Sequence, residues 1–323
     1  MHKEKYEELF NDVIGQNMAI SLLDLSLKKK HIAPAYIFKG PNGVGRSLTA
    51  RRFLEGLINN GIASIRERNR IKTLNHPDLL WIEPNYSHQG KLIPKSIVKN
   101  ESLQLRGTPQ VRLEQIREVK TFLGKKPIEA NLGMVVIEEA EMMNEAASNA
   151  LLKTLEEPEN GLIILIAERP ENLLQTIRSR CLEIPFSRMK TNDIRIIFSK
   201  ISLEKEYIFP NEYDQQEIIN LSNGSPGSLL ENIKIWESLP DEVQSNLHNL
   251  PEHPIQALSI ANNLTETLDI EQQVWIINWL EQHLWSQTHN AKPLQILRTL
   301  RSQLTGYVQP RLAWEIALLK LIK

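Results

Sequence analysis

The clearest chemical signal in the chain is the run Gly40-Pro41-Asn42-Gly43-Val44-Gly45-Arg46-Ser47. Glycines at 40, 43 and 45 let the backbone curl so that its N–H groups converge on phosphate oxygens, and Ser47 is placed to ligate magnesium. An apolar run, Ala35 to Phe38, leads into the loop, and a helical pattern leaves it with its N-terminal amides aimed at the same point. Strand, glycine loop and helix in this order form a phosphate-loop frame. Such a frame ordinarily carries a lysine, and here Arg46 stands in its place. The exchange is not conservative, because an ammonium is a compact point charge and a guanidinium is a wide planar fork. The bulkier head must sit elsewhere than in the tight phosphate cradle.

A second acidic signal ends another apolar run: Val135-Val136-Ile137-Glu138-Glu139. In nucleotide-hydrolysing proteins with this loop, an aspartate at the first acidic position organises the magnesium shell. Glu138 is longer by one methylene, which shifts its carboxylate by roughly 1 Å, a misplacement that catalytic sites tolerate badly. Glu139 remains able to orient a water. Two departures in one site argue against hydrolysis and weaken the case that nucleotide binds. No cofactor is required by what remains, and no metal ligand set is assigned.

The elements around these residues alternate. Short apolar runs at Ala35 to Phe38, Leu79 to Ile82, Met134 to Ile137, Leu162 to Ala167 and Leu182 to Pro185 read as buried strands. Helical stretches lie between them: Asn17 to Lys29, with Met18, Leu22, Leu25 and Ser26 at helical spacing; Leu113 to Phe122; and Asn144 to Glu157, stopped by Pro158. The order predicts an α/β domain on a parallel five-stranded sheet. Between Asn60 and Thr108 the pattern weakens into a polar insertion whose Arg66, Arg68, Arg70 and Lys72 read as a solvated charged face. After Phe186 the strand signals stop. Asn223-Gly224-Ser225-Pro226-Gly227 is a turn opening a helix, and a looser stretch runs from Leu239 to Pro254. From Leu268 onward Trp275, Trp279, Leu280, Leu294, Leu297, Leu300, Leu312, Ile316 and Leu319 mark apolar helix faces, with the tryptophans read as bundle core or subunit contact.

Composition narrows the class. Over 323 residues, 41% hydrophobic and 24% charged residues describe a globular chain of two or three domains. A net charge of −1 means that any nucleic-acid contact must come from a local patch. One cysteine, Cys181, rules out an internal disulfide or a cysteine zinc site, and it reads as a small buried hydrophobe. No run of about 18 apolar residues is present, and Met1 to Phe10 has no apolar signal-peptide core, so a cytoplasmic, non-membrane protein is expected.

Further blocks carry a family likeness. Met143 to Ala147 leading through Asn149-Ala150-Leu151-Leu152-Lys153-Thr154-Leu155-Glu156-Glu157-Pro158, the tripeptide Ser179-Arg180-Cys181, Phe10 with Val13 to Gln16, Asn75-His76-Pro77-Asp78-Leu79, Gln115-Ile116-Arg117, and Gln309 to Leu312 with Glu315 together resemble the clamp-loader branch of AAA+ proteins. The resemblance implies an AAA+ α/β domain over 1–186, a helical lid over 187–238 and a helical collar for oligomerisation over 239–323. It also implies DNA replication as the setting. Within the branch, Arg46, the cysteine-free insertion, Ala167-Glu168-Arg169-Pro170 at the sensor strand and Ser228 after the lid motif resemble the delta-prime type rather than the motor subunits. The site Gly40, Gly43, Gly45, Arg46, Ser47, Glu138 and Glu139 is then a degenerate nucleotide site, with no zinc expected. Arg180 becomes an arginine finger, the catalytic residue supplied in trans; the competing reading is a structural arginine paired with a carboxylate. Implied partners are ATP-competent gamma/tau-type subunits, a delta subunit, the sliding clamp and primed DNA. The alternatives are an ATP-hydrolysing motor subunit and another AAA+ ATPase such as a helicase motor.

Overall fold

The computed structural model describes residues 8–100, 105, 107–156, 161–205, 212–247, 251–306 and 308–322. The chain divides into two compact units, 1–193 and 194–323.

The first unit is built on a sheet whose strands bury side chains on both faces. Its strands are β1 (Ala35–Lys39), β2 (Leu79–Ile82), β5 (Gly133–Ile137), β6 (Gly161–Ala167) and β7 (Leu182–Pro185), with β3 (Asn85–His88) and β4 (Lys91–Pro94) outside the sheet. The order is β2-β5-β6-β1-β7, and every pairing is parallel. The expected five-stranded parallel sheet is therefore present. Parallel strands covered on both faces need near-continuous apolar sequence. Met134 to Ile137 and Leu162 to Ile166 supply it, with alternate residues feeding the cores on opposite faces. The helices are α1 (Asn17–Lys29), α2 (Arg46–Ile58), α3 (Ile65–Lys72), α4 (Lys95–Asn100), α5 (Leu113–Leu123), α6 (Glu145–Glu156) and the single turn α7 (Gln175–Arg178). The proline expected to stop α6, Pro158, lies outside the described residues.

Two details differ from the sequence reading. The face of α1 that packs inward is Ala19, Leu23 and Leu27, and Met18, Leu22 and Leu25 are exposed. Gly56 on α2 favours this choice: a Cβ there would come within 2.6 Å of a Leu9 methyl and 2.8 Å of a Leu27 methyl, so glycine lets these two leucines settle against α2 without shifting. The described residues of the insertion include α3, a β3–β4 hairpin and α4. Of its arginines, Arg66 is solvated as expected, but Arg68 and Arg70 are paired. Arg68 donates to both oxygens of the fully buried Glu55, and Arg70 donates to Glu129.

The second unit is helical: α8 (Thr191–Lys205) begins within the first unit, and α9 (Glu212–Leu221), α10 (Pro226–Ser238), α11 (Asp241–Asn246), α12 (Pro254–Thr267), α13 (Ile270–Thr288), α14 (Ala291–Leu304) and α15 (Pro310–Leu321) follow. The expected turn caps α10, where the Ser225 side chain accepts from the Ser228 amide. Trp236, Trp275 and Trp279 stack with ring centroids 5.1–6.3 Å apart, so the tryptophans are core of this unit. On α15 the inward face is Ala313, Trp314, Ala317 and Leu318, whereas Leu312, Ile316 and Leu319 are exposed. The indole decides between two apolar stripes, because it buries the largest area and its N–H finds the buried Gln273 carbonyl at 3.0 Å. Among the described residues, no helix is long and apolar enough to cross a membrane.

One carboxylate fixes the approach to β5. Asp78 accepts from the backbone amides of Ile128, Glu129 and Ala130, each at 2.7 Å. Burial pushes its pKa up, but the three amides outweigh it and hold the group below the ordinary carboxylate value. A depressed folded pKa stabilises the fold above the unfolded pKa of about 3.9 and loses that contribution as pH falls through the folded value. Asp78→Ala is expected to cost about 2–4 kcal/mol at neutral pH. In urea melts the gap between wild type and variant should narrow as pH drops below about 4.

Candidate functional site

The sheet brings the candidate residues to one edge. Gly40 follows β1, Glu138 follows β5, Glu168 follows β6 and Phe186 follows β7, so all four stand at the carboxyl ends of parallel strands, where α/β sheets bind ligands. The turn out of β1 is tight. Gly40 has φ of +147°, and a Cβ on it would lie 2.3 Å from the Phe186 carbonyl oxygen. Gly43 and Gly45 also have positive φ, and Gly45 is the N-cap of α2. Val44 between them is fully buried.

Gln16 anchors this loop. Its Nε2 donates to the Val44 carbonyl at 3.2 Å and to the Ser187 carbonyl at 2.8 Å, while its Oε1 accepts from the Ser187 amide. Gln16 carried only a family likeness in the sequence, and no spacing rule pointed to this role.

Arg46 is only 6% exposed, and its guanidinium folds back onto the loop: Nη2 donates to Asn42 Oδ1. Asn42 in turn donates to Glu168 Oε2 at 2.7 Å. Glu141 Oε1 accepts from the backbone amides of Glu168, at 2.7 Å, and Arg169. Burial pulls the Arg46 pKa down, and Glu141, Glu168, Glu138 and Glu139 oppose that shift. Arg46 Nη1 and Glu141 Oε2 are both buried, and among the described residues neither has a hydrogen-bond partner. Ser47 opens α2 beside the loop.

Glu138 is half-buried, and its field acts on Arg51, which lies 4.2 Å above the Trp81 ring. Glu139 sits in the left-handed region with φ of +44° and is held by Lys95 at the start of α4, with both its oxygens within 2.7 Å of the ammonium. The water-orienting role expected for Glu139 meets this competing ion pair, because an ammonium already occupies the carboxylate. The signal for Lys95 was absent from the sequence, since it lies in the insertion.

Arg180 is exposed at the surface. Nη2 donates to Glu156 Oε1 at 2.8 Å and Nη1 donates to the Thr176 carbonyl at 3.0 Å. Cys181 packs against the core beneath it, and burial raises its thiol to about 12, as an inert hydrophobe requires.

The family described as "DNA polymerase III, delta subunit" matches residues 15–190, and that described as "Cyanobacterial DNA polymerase III delta prime, C-terminal domain" matches residues 202–321. DNA polymerase III subunit delta' of Bacillus subtilis is 30% identical over 69% of this chain and 65% of its own length. A tau/gamma subunit of Haemophilus influenzae is 26% identical over 71% of this chain and 30% of its own length. The matches thus span less than two thirds of these relatives' lengths. Among solved structures, a DNA polymerase III gamma subunit-related protein of Thermotoga maritima has a TM-score of 0.53 at 16% identity, covering 94% of this chain and 98% of that one, which speaks for the fold alone.

Gln16→Ala removes the amide that ties Val44 to Ser187, and is expected to cost about 1–3 kcal/mol. Hydrogen exchange should rise first in the loop over 40–45 and around Ser187, with the strands of the sheet unaffected.

Proposed function

The chain belongs to the DNA polymerase III delta-subunit family, and from that membership we propose that it acts as a delta-prime-type clamp-loader subunit whose own nucleotide site does not turn over. In this reading it works in the cytoplasm, with gamma/tau-type ATPases and a delta subunit, to place a sliding clamp on primed DNA. Residues 187–238 act as its lid and residues 239–323 as its collar, and Arg180 acts on a neighbouring subunit's nucleotide.

The observation that carries the reading is Arg46. A lysine in this loop would reach the phosphates as a point charge. Nη2 of the guanidinium is instead turned to the loop's own Asn42, with Glu168 behind it. The site's cations are met by its own carboxylates: Glu138, Glu139, Glu141 and Glu168 act on Arg46, Glu138 acts also on Arg51, and Glu139 is paired with Lys95. Glu139 is engaged by Lys95, so activating a water would first require breaking an ion pair. These residues do not fit a magnesium–triphosphate, and no catalytic step is assigned to them.

Arg180 differs in kind. It is exposed at the surface and belongs to no buried network, and a cationic fork delivered across an interface stabilises the charge that builds on a transferring phosphoryl group. Loss of one's own site combined with retention of Ser179-Arg180-Cys181 is the pattern expected of a subunit that serves its neighbour.

The isolated chain is expected to show no steady-state ATP hydrolysis, and Arg46→Lys alone should not restore it, since Glu138 and the Lys95–Glu139 pair remain. Hydrolysis by the purified chain that disappears with Arg46→Ala would identify a motor subunit instead. In the reconstituted complex, Arg180→Ala should leave assembly unchanged and lower clamp- and DNA-stimulated turnover in part, with Arg180→Lys rescuing poorly because the bidentate fork is lost. Wild-type rates for Arg180→Ala in an intact complex would remove the trans role.

A further inference from the structure

The Arg180 guanidinium is bonded at both terminal nitrogens. Its two terminal nitrogens are held by different elements: Nη1 by the Thr176 carbonyl of α7, at 3.0 Å, and Nη2 by Glu156 Oε1 at the end of α6, at 2.8 Å. Two acceptors on two nitrogens fix the plane of the fork. They use two of its five N–H donors, which leaves three for a ligand. The pairing is also selective. Glu183, the other carboxylate close in sequence, is engaged by Lys39 at 2.5 Å and by Arg178 at 3.3 Å, and these cations hold its pKa below the ordinary value. Glu183 is thus already engaged by two cations, and the carboxylate bonded to Arg180 is Glu156.

The Glu156 and Arg180 side chains are 52% and 36% exposed. An ion pair this wet adds little to folding. Its effect is instead on the arginine's freedom: a long side chain with a large rotamer entropy must otherwise be ordered at the moment of reaction, and an error of about 1 Å in a catalytic group can cost a large share of the rate.

We propose that Glu156 is a positioning residue for Arg180, holding the guanidinium plane in the orientation from which it reaches a neighbouring subunit's nucleotide. The proposal rests on the trans role of Arg180 stated above. It assigns Glu156 no contact with the nucleotide. It also gives the end of α6 a task besides packing, because the helix that buries Leu151 and Leu155 against the sheet delivers Glu156 to the surface one residue later.

The test reconstitutes the complex with Glu156→Ala, Glu156→Gln, Arg180→Ala and the double variant, and measures clamp- and DNA-stimulated ATP hydrolysis. Glu156→Ala should lower kcat about two- to fivefold, less than Arg180→Ala, with KM for ATP, assembly and the melting temperature of the chain unchanged. Glu156→Gln keeps the acceptor oxygen and should recover most of the rate. The double variant should match Arg180→Ala, because Glu156 acts only through that side chain. Additive losses, a Glu156→Gln no better than Glu156→Ala, or an unchanged rate in Glu156→Ala beside a clear loss in Arg180→Ala would overturn the positioning role and leave the finger standing. A faster Glu156→Ala would overturn it too, marking Glu156 as a competitor that withholds the arginine. Wild-type rates for Arg180→Ala itself would remove the finger, and the role of Glu156 with it.

Discussion

A guanidinium does not shed its proton when it is buried, so placing Arg46 inside the loop commits the surrounding residues to supplying acceptors and negative charge. Asn42 turns its carbonyl to Arg46 and its amide to Glu168. The Glu168 backbone is in turn fixed by Glu141, whose charge also supports Arg46. Asn42 and the surrounding carboxylates thus meet part of the guanidinium, while Arg46 Nη1 and Glu141 Oε2 stay buried with no partner among the described residues. The glycine geometry survives because packing demands it independently: Gly40 must pass the Phe186 carbonyl, and Val44 must be buried, whatever the loop holds. Packing therefore demands the glycine frame independently of any ligand.

The same sheet edge carries a second internal substitution. Lys95 brings a positive charge to Glu139, in the neighbourhood where a magnesium-dependent site would place its metal shell. Through that contact the insertion is pinned to the end of β5, and Ser96, which donates to Glu83 from both backbone and side chain, pins the same helix to the end of β2. Both contacts tie α4 to the sheet. In the second unit the constraint is aromatic. Three indoles stacked together and a fourth bonded to Gln273 organise the helices, and that choice turns Leu312, Ile316 and Leu319 outward.

Much of this was legible in the residues. The central strands β5 and β6 were visible as apolar runs because both their faces are covered, whereas the edge strand β7, expected to be buried, leaves Leu182 exposed and carries Glu183. The loop and its Arg46 were visible because glycines at fixed offsets have few other uses. The helical character beyond Phe186 followed from the loss of strand runs and the return of helical spacing. Which face of α1 or α15 turns inward was not legible, because both helices carry two apolar stripes and the winner is set by a distant partner, Gly56 in one case and Gln273 in the other.

The amino-acid sequence by itself determined the frame: the parallel sheet, the glycine loop with Arg46 in it, the lone cysteine, and Ser179-Arg180-Cys181. Tertiary structure alone decided what occupies that frame. The contacts that do so join residues 126 positions apart for Asn42 and Glu168, 44 for Lys95 and Glu139, 171 for Gln16 and Ser187, and 24 for Arg180 and Glu156. Local spacing encodes which way a side chain leaves a helix or strand, and nothing in it specifies which partner a folded sheet will carry to meet it. Polar partners are especially hard to foresee. Burial compels each polar group to find one but leaves its identity to the geometry of closure.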